Sequence, residues 1–232
     1  MATPTIVLVH GAFADSSAWN GVIPLLWERG YDVVAAPNQL RDLNGDAAHV
    51  ASVIRAVDGP VVLVGHSYGG AVITRAAQDL PEVKGLVFIA AYQPDTGEDV
   101  FSLSGPDTKL GETTSTPMLH EGEPELRVNA DAFGTVIAGG VDPEQVRLLA
   151  ATQRPTAVKA LTGALEGEPA WRTRPSWALL STEDNAIPLE EQEKMAARAG
   201  STVARVATGH TIPLTLPGEV AAIIDEAARA VS

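Results

Sequence analysis

The segment from Gly65 to Gly69 reads Gly-His-Ser-Tyr-Gly and places a hydroxyl nucleophile, Ser67, between two glycines. It follows the apolar run 61–64 and precedes a helical pattern that begins near Ala71. A turn from strand to helix lifts the serine hydroxyl above a sheet, and only small residues fit where this turn nearly touches itself. The pattern therefore predicts that Ser67 is the nucleophile of an acyl-transfer reaction. The alternative is a glycine-rich turn with an incidental serine.

A serine hydroxyl is a weak nucleophile until a base removes its proton. His210 lies in a loop just after the apolar run 202–206, and loops beyond the carboxyl ends of parallel strands assemble sites in such sheets. We therefore expect His210 to be the base. The other four histidines fit structural positions better: His10 supports a turn, His66 points away from Ser67, His49 lies on a helix and His120 lies in an irregular segment.

An acid should orient this base, and the loop that follows the run 176–180 offers two candidates, Glu183 and Asp184. Asp95, after an earlier strand, is a third candidate, and a role as a loop or helix cap suits it better. The residues themselves leave Glu183 and Asp184 open.

A tetrahedral oxyanion needs two backbone donors. The residue after the nucleophile, Tyr68, supplies one amide. The turn after the first strand contains Gly11, which lets the backbone approach, and the amide of Ala12 is the second candidate. A plain tight turn is the alternative for this segment.

Short apolar runs alternate with helical stretches along most of the chain, as in an α/β protein with a parallel sheet covered by helices on both faces. The expected strands are 6–9, 33–36, 61–64, 86–90, 176–180 and 202–206, and the expected helices are 17–29, 46–57, 71–80, 188–199 and 217–231.

The alternation of strands and helices predicts that residues 1–94 and 175–232 form one core. Residues 95–174 break the alternation with repeated Gly and Pro and no clear strand, which predicts an inserted helical cap with weak helices at 144–151 and 157–165.

Composition excludes several classes of function. The 232 residues carry 29 acids and 16 bases, a formal net charge of −13, which disfavours nucleic-acid binding. There is no apolar run of about 18 residues for a membrane span and no basic leader, so we expect a cytoplasmic protein without membrane attachment. The chain has no cysteine, no spaced metal ligands and no phosphate or dinucleotide loop, so we expect neither metal nor cofactor. The sequence leaves the oligomeric state, including a homodimer, open.

Together these motifs resemble the α/β-hydrolase superfamily, essentially from end to end. Within it the chain is most similar to the branch of plant methyl esterases and hydroxynitrile lyases and to small bacterial esterases. The motifs that carry the resemblance are Leu-Val-His-Gly-Ala at 8–12 with Trp19 downstream, Gly-His-Ser-Tyr-Gly-Gly at 65–70, Thr-Glu-Asp-Asn-Ala-Ile-Pro at 182–188 and Gly-His at 209–210.

The resemblance implies a mostly parallel six-stranded sheet in the order 2-1-3-4-5-6. It also implies a triad of Ser67, Asp184 and His210, with Ala12 and Tyr68 as oxyanion donors, and it favours Asp184 over Glu183.

The expected function is hydrolysis of small to medium carboxylic esters, with an acyl-enzyme intermediate and a small-molecule ester as the partner. For the substrate pocket we expect contributions from Tyr92, Phe133 and Met118. Lyases of this branch carry a lysine after the histidine and a threonine near the first turn, where this chain has Thr211 and Gly11, so cyanohydrin cleavage should be poor. A lactonase, an amidase, a carbon–carbon bond hydrolase, a perhydrolase, a lyase and a non-catalytic receptor remain open alternatives.

Overall fold

The computed structural model describes residues 3–232 and contains a six-stranded sheet in which every neighbouring pair of strands is parallel. Its strands are β1 (Thr5–Val9), β2 (Val33–Ala36), β3 (Val61–His66), β4 (Val83–Ile89), β8 (Ser176–Ser181) and β9 (Thr202–Val206). Their spatial order is β2-β1-β3-β4-β8-β9, which confirms the order 2-1-3-4-5-6 implied by the resemblance.

Helices cover both faces of this sheet, as predicted. The helices of the core are α1 (Ile23–Glu28), α2 (Leu43–Arg55), α3 (Tyr68–Ala76), α8 (Leu189–Ala199), α9 (Ile212–Thr215) and α10 (Pro217–Ala230). Alternate residues of β1 point to opposite faces: Val7 and Val9 pack with α2, α3 and α8, whereas Ile6 and Leu8 pack with α1 and α10. Within residues 3–232 no helix is long and apolar enough to cross a membrane.

The inserted segment, residues 95–174, is only partly helical, so the prediction of a helical cap is corrected. It contains the short helices α4 (Val100–Leu103), α5 (Ala130–Val136), α6 (Pro143–Thr152) and α7 (Val158–Thr162) and an antiparallel sheet of β5 (Ser115–His120), β6 (Glu123–Val128) and β7 (Thr156–Ala157). Glu121 and Gly122 join β5 to β6, both with positive φ (52° and 85°). Two residues with positive φ form the tight turn that is typical of a hairpin. Most side chains of β5 face solvent, so this strand has no alternation of apolar and polar residues by which the sequence could have predicted it.

A second correction concerns the predicted helix 17–29. The chain instead forms a 3₁₀ turn at Ser16–Trp19 and begins α1 at Ile23. Pro24 is the physical reason, because proline has no amide hydrogen to continue a helix but is well suited to its first turn.

The cap is held to the core by packing and by ion pairing. Phe13 of the core lies in one apolar cluster with Phe133 and Ile137 of the cap. Arg41 pairs with the buried carboxylate of Glu125 on β6, and Arg154 donates a 2.7 Å hydrogen bond to the Asn38 carbonyl. These contacts place the cap over the carboxyl ends of the central strands.

Candidate active site

Ser67 lies between the end of β3 and the start of α3 and has an unusual backbone conformation, with φ 53° and ψ −124°. A residue with a side chain rarely adopts positive φ, and such strain costs on the order of 1–3 kcal/mol. Strained residues of this kind cluster at functional sites, so the conformation marks Ser67 as a candidate.

The backbone closes so tightly around Ser67 that only glycine fits at neighbouring positions. A Cβ at Gly65 would lie 2.5 Å from the Gly69 carbonyl oxygen, and one at Gly69 would lie 2.5 Å from the carbonyl oxygen of Val9. A Cβ at Gly11 would lie 2.7 Å from Ser67 Cβ. These glycines therefore let β1 and α3 approach the serine from both sides.

His210 and Asp184 form a buried pair. His210 Nδ1 donates a 2.7 Å hydrogen bond to Asp184 Oδ2. The other carboxylate oxygen accepts the amides of Ala186 and Ile187 at 2.8 and 2.9 Å. Because Nδ1 carries the proton that is shared with the carboxylate, the neutral imidazole leaves Nε2 able to accept one.

Ser67 and His210 line the same small cavity, with a volume of about 20 Å³, which we call the catalytic chamber. No hydrogen bond joins Ser67 Oγ to His210 among the described residues. Bonds between nucleophile and base are often long or poorly aligned before a substrate binds. Ser67 and His210 thus line one small cavity and Asp184 is hydrogen-bonded to His210, although the three residues are distant in sequence.

The two expected oxyanion donors also line the catalytic chamber, Ala12 after β1 and Tyr68 at the start of α3. Neither backbone amide donates a hydrogen bond to another group within residues 3–232. Both N–H groups are therefore free to bind an oxygen atom of a ligand.

The alternative acids lie elsewhere. Glu183 is exposed, whereas Asp184 is buried beside His210. Asp95 pairs with Arg172 at the surface, and the hydrogen bonds from Arg172 lower the pKa of its carboxyl group.

Two further histidines are buried beside the site, and both are held neutral. Burial lowers the pKa of His10 to about 4 and that of His66 to about 3. His10 Nδ1 donates to the Gly11 carbonyl at 2.9 Å, while its Nε2 accepts the Asn38 amide at 2.9 Å. His66 Nε2 donates a 3.0 Å hydrogen bond to the His210 carbonyl. Both rings therefore support the loops that carry the site.

The two remaining histidines lie away from the site. His49 lies on α2 and His120 ends the exposed strand β5.

The three expected substrate-pocket residues have different positions. Tyr92 lines the catalytic chamber, and its hydroxyl lies 2.8 Å from Ser104 Oγ. Burial raises the pKa of this phenol. Phe133 lines a neighbouring, larger cavity. Met118 lies on the exposed hairpin strand β5 and lines neither cavity, so its expected place in the pocket is corrected.

Sequence reasoning missed two buried polar residues beside the site. Gln192 on α8 donates to Asp184 Oδ2 at 3.1 Å and to the Ile187 carbonyl at 2.7 Å, and its Oε1 accepts the Ser181 amide at 3.1 Å. Asp46 on α2 accepts a 2.7 Å hydrogen bond from the phenol of Tyr68. The only sequence signal is a polar residue on the apolar face of an amphipathic helix, and this signal does not identify its partner.

No group of three or more His, Asp or Glu side chains converges to hold a metal ion in the part of the chain that the structure describes.

Comparison with known proteins places this geometry in context. The sequence matches the alpha/beta hydrolase family over residues 6–223. A pyrethroid hydrolase of Sphingobium wenxiniae is 34% identical over 120 residues, 45% of this chain and 42% of that protein. Methylesterase 8 of Arabidopsis thaliana is 32% identical over 104 residues, 39% of this chain and 38% of that protein. The matched part thus spans less than half the length of either curated relative. The solved structure of a pyrethroid hydrolase from Sphingobium faniae JZ-2 has a TM-score of 0.80 at 22% identity, and the alignment covers 99% of this chain and 98% of that one.

Proposed function

Because the chain belongs to the alpha/beta hydrolase family, we propose that it is a serine hydrolase that cleaves small to medium carboxylic esters through Ser67, His210 and Asp184. The observation that carries the proposal is the buried 2.7 Å hydrogen bond between His210 and Asp184, beside the chamber that Ser67 lines. The names of the relatives, which include a pyrethroid hydrolase and a methylesterase, support ester bonds as the substrate class.

The first step is a proton transfer. Asp184 fixes the imidazole of His210 with its proton on Nδ1, so that Nε2 takes the proton of the Ser67 hydroxyl as its oxygen attacks the ester carbonyl. The carboxylate stabilises the imidazolium that forms and is not itself protonated. Two backbone amides and Gln192 fill the remaining acceptor positions of Asp184, which keeps its carboxylate in this orientation.

The second requirement is stabilisation of the tetrahedral oxyanion. The free amides of Ala12 and Tyr68 are the donors, and each is worth on the order of 3 kcal/mol of the barrier. His210 then protonates the departing alcohol oxygen as the carbon–oxygen bond breaks. His210 then takes a proton from the water that attacks the acyl-enzyme and returns it to Ser67 Oγ as the bond between this oxygen and the acyl carbon breaks, which releases the carboxylic acid.

The lining of the catalytic chamber favours an uncharged ester. Apart from Ser67 and His210 its walls are mainly apolar, with Val100, Leu110 and Leu161 among them, and none of the lining residues is Lys or Arg. A leaving cyanide ion would have no cation to bind there. Cleavage of cyanohydrins is therefore less well supported than ester hydrolysis.

The proposal is tested by covalent labelling of Ser67. A fluorophosphonate probe should label one serine stoichiometrically, and the label should be lost in Ser67→Ala and retained in Ser102→Ala, an exposed serine on α4. Hydrolysis of p-nitrophenyl acetate should disappear with the label. Labelling at another residue, or full hydrolysis by Ser67→Ala, would disprove the assignment. A panel of lactones and amides separates the other reactions available to the same triad.

A further inference from the structure

A second cavity lies next to the catalytic chamber, and its volume is about 510 Å³. We call it the distal cavity. Phe13 and Ile137 line both spaces and form the partition between them. The catalytic chamber, at about 20 Å³, holds roughly one water-sized group, whereas 510 Å³ lies within the range of about 300–1,000 Å³ that small-molecule sites occupy. Of these two spaces, only the distal cavity therefore has room for the bulky half of a substrate.

The position of the distal cavity indicates which half of an ester it takes. One of its walls is formed by Thr211, Pro213 and Leu214, which follow His210 directly in the chain. His210 delivers a proton to the oxygen of the departing alcohol, so the alcohol must lie on the His210 side of the serine. The wall formed by Thr211, Pro213 and Leu214 places part of the distal cavity on that side.

One buried polar atom without a partner belongs to a residue that lines the distal cavity. The Thr211 hydroxyl has no hydrogen-bond partner, although the residue is nine-tenths buried. A buried polar group without a partner costs about 1–3 kcal/mol. Because a hydroxyl oxygen accepts hydrogen bonds, Thr211 suits a ligand that carries a hydroxyl or amine group.

We propose that the distal cavity binds the alcohol half of the ester, an inference that rests on the proposed esterase function. The substrate class is an ester of a short carboxylic acid with a bulky, mainly apolar alcohol that carries an additional hydrogen-bond donor. Short acids fit because only the catalytic chamber is left for the acyl group. None of the residues that line the distal cavity is Lys or Arg and Asp15 is acidic, so anionic alcohols are disfavoured.

Two ester series that share methyl acetate as their first member test this assignment. The first enlarges the alcohol, through benzyl acetate to 2-naphthylmethyl acetate; the second enlarges the acid, through methyl benzoate to methyl 2-naphthoate. We expect kcat/KM, measured by proton release, to rise at least tenfold along the first series and to fall along the second. A rise along the second series, or equal changes in both, would overturn the proposal.

Two variants locate the effect in the distal cavity. Leu149→Trp fills it from α6 and should reduce the ratio of kcat/KM for 2-naphthylmethyl acetate to that for methyl acetate at least tenfold. The matched control Leu119→Trp, at a 77% exposed position on β5, should keep the wild-type ratio. Equal ratios in the two variants would place the alcohol elsewhere.

The unpartnered hydroxyl has its own test. Thr211→Val preserves shape and removes the hydroxyl, so the preference for 4-(hydroxymethyl)benzyl acetate over 4-methylbenzyl acetate should fall at least fivefold. Thr202→Val, at an exposed position on β9, should keep this preference. An unchanged preference in Thr211→Val would remove Thr211 from the site.

The failure of this inference can be distinguished from the failure of the esterase proposal. If no ester is hydrolysed and Ser67 resists the fluorophosphonate probe, the esterase proposal itself fails. If esters are hydrolysed without these preferences, only the present inference fails.

Discussion

The phenol of Tyr68 donates a 2.7 Å hydrogen bond to Asp46 Oδ2, and both side chains are fully buried. The other oxygen of Asp46 accepts the Arg41 amide at 3.3 Å. This contact ties α2 to the first residue of α3, whose amide is one of the two proposed oxyanion donors. Burial raises the pKa of Asp46 above its usual range and raises that of the Tyr68 phenol.

Removing the phenol of Tyr68 and neutralising the carboxylate of Asp46 should have different effects on the free energy of unfolding. Tyr68→Phe leaves a carboxylate buried without its main donor, and the free energy of unfolding should fall by about 1–3 kcal/mol. Asp46→Asn keeps an acceptor for the phenol, loses only the longer 3.3 Å bond from the Arg41 amide and removes the buried charge, so its stability at pH 7 should equal or exceed that of the wild type. Urea unfolding of both variants measures the difference. A larger loss in Asp46→Asn than in Tyr68→Phe would show that two acceptor oxygens at this position outweigh the cost of burying the charge.

The same pair predicts a pH dependence. The pKa of Asp46 is higher in the folded chain than the value of about 3.9 expected when unfolded, so protonation favours folding. This contribution is present at low pH and is lost as the pH rises through the folded-state pKa. The stability of Asp46→Asn relative to the wild type should therefore increase as the pH is raised from about 4 to 7. A constant difference across this range would contradict the raised pKa.

The parallel sheet could be predicted from the sequence because each of its strands is a short apolar run, and the fold class is confirmed. β3, for example, is buried along its whole length, so its residues carry no polar alternation. Ser67 and His210 could be proposed because each follows a strand of this sheet, where the carboxyl ends meet. The same argument leaves Glu183 and Asp184 open as the acid, and the choice of Asp184 rests on the family resemblance. Their roles remain predictions.

The remaining features depend on tertiary contacts that leave little local signal. The hairpin of β5 and β6 is largely exposed and contains Pro117, so it has neither the apolar pattern nor the composition of a typical strand. Gln192 is buried on a helix with low overall apolarity, and its position only becomes meaningful once α8 packs on the Asp184 loop. Met118 was expected in the pocket because it is apolar, but the hairpin directs it to solvent.

Gly11→Ala should impair the site without a change in any polar group. The added Cβ would lie 2.7 Å from Ser67 Cβ and 3.1 Å from the His66 carbonyl oxygen, and the strained Ser67 backbone has no room to yield. Since a displacement of about 1 Å can reduce a rate 100-fold, we expect at least that loss in kcat/KM for p-nitrophenyl acetate. Gly218→Ala, where a Cβ meets nothing within 4 Å, should retain wild-type activity. Equal activity of the two variants would contradict the close packing around Ser67.

Gln192→Met should lower both activity and stability. The variant leaves the Ser181 amide and the Ile187 carbonyl without their buried partner, at about 1–3 kcal/mol for each group. It also removes one of the donors that orient Asp184, so kcat should fall more than KM rises. Steady-state kinetics and urea unfolding measure the two effects. Gln145→Met, at an exposed position on α6, is the matched control for stability. Loss of stability with unchanged kcat would restrict Gln192 to a structural role.

Acid should destabilise the protein through its buried histidines. The pKa of His10 is about 4 in the folded chain and about 6.5 when unfolded, so its contribution to stability is present above pH 6.5 and is lost as the pH falls towards 4. The loss amounts to about 3 kcal/mol. In His10→Gln the free energy of unfolding, measured in urea from pH 7 to 4.5, should therefore decline less steeply than in the wild type. His120→Gln, at an exposed position, should decline in parallel with the wild type. If His10→Gln also declines in parallel, the ring of His10 is not the group whose protonation weakens the fold, and its hydrogen bonds to Gly11 and Asn38 must persist in acid.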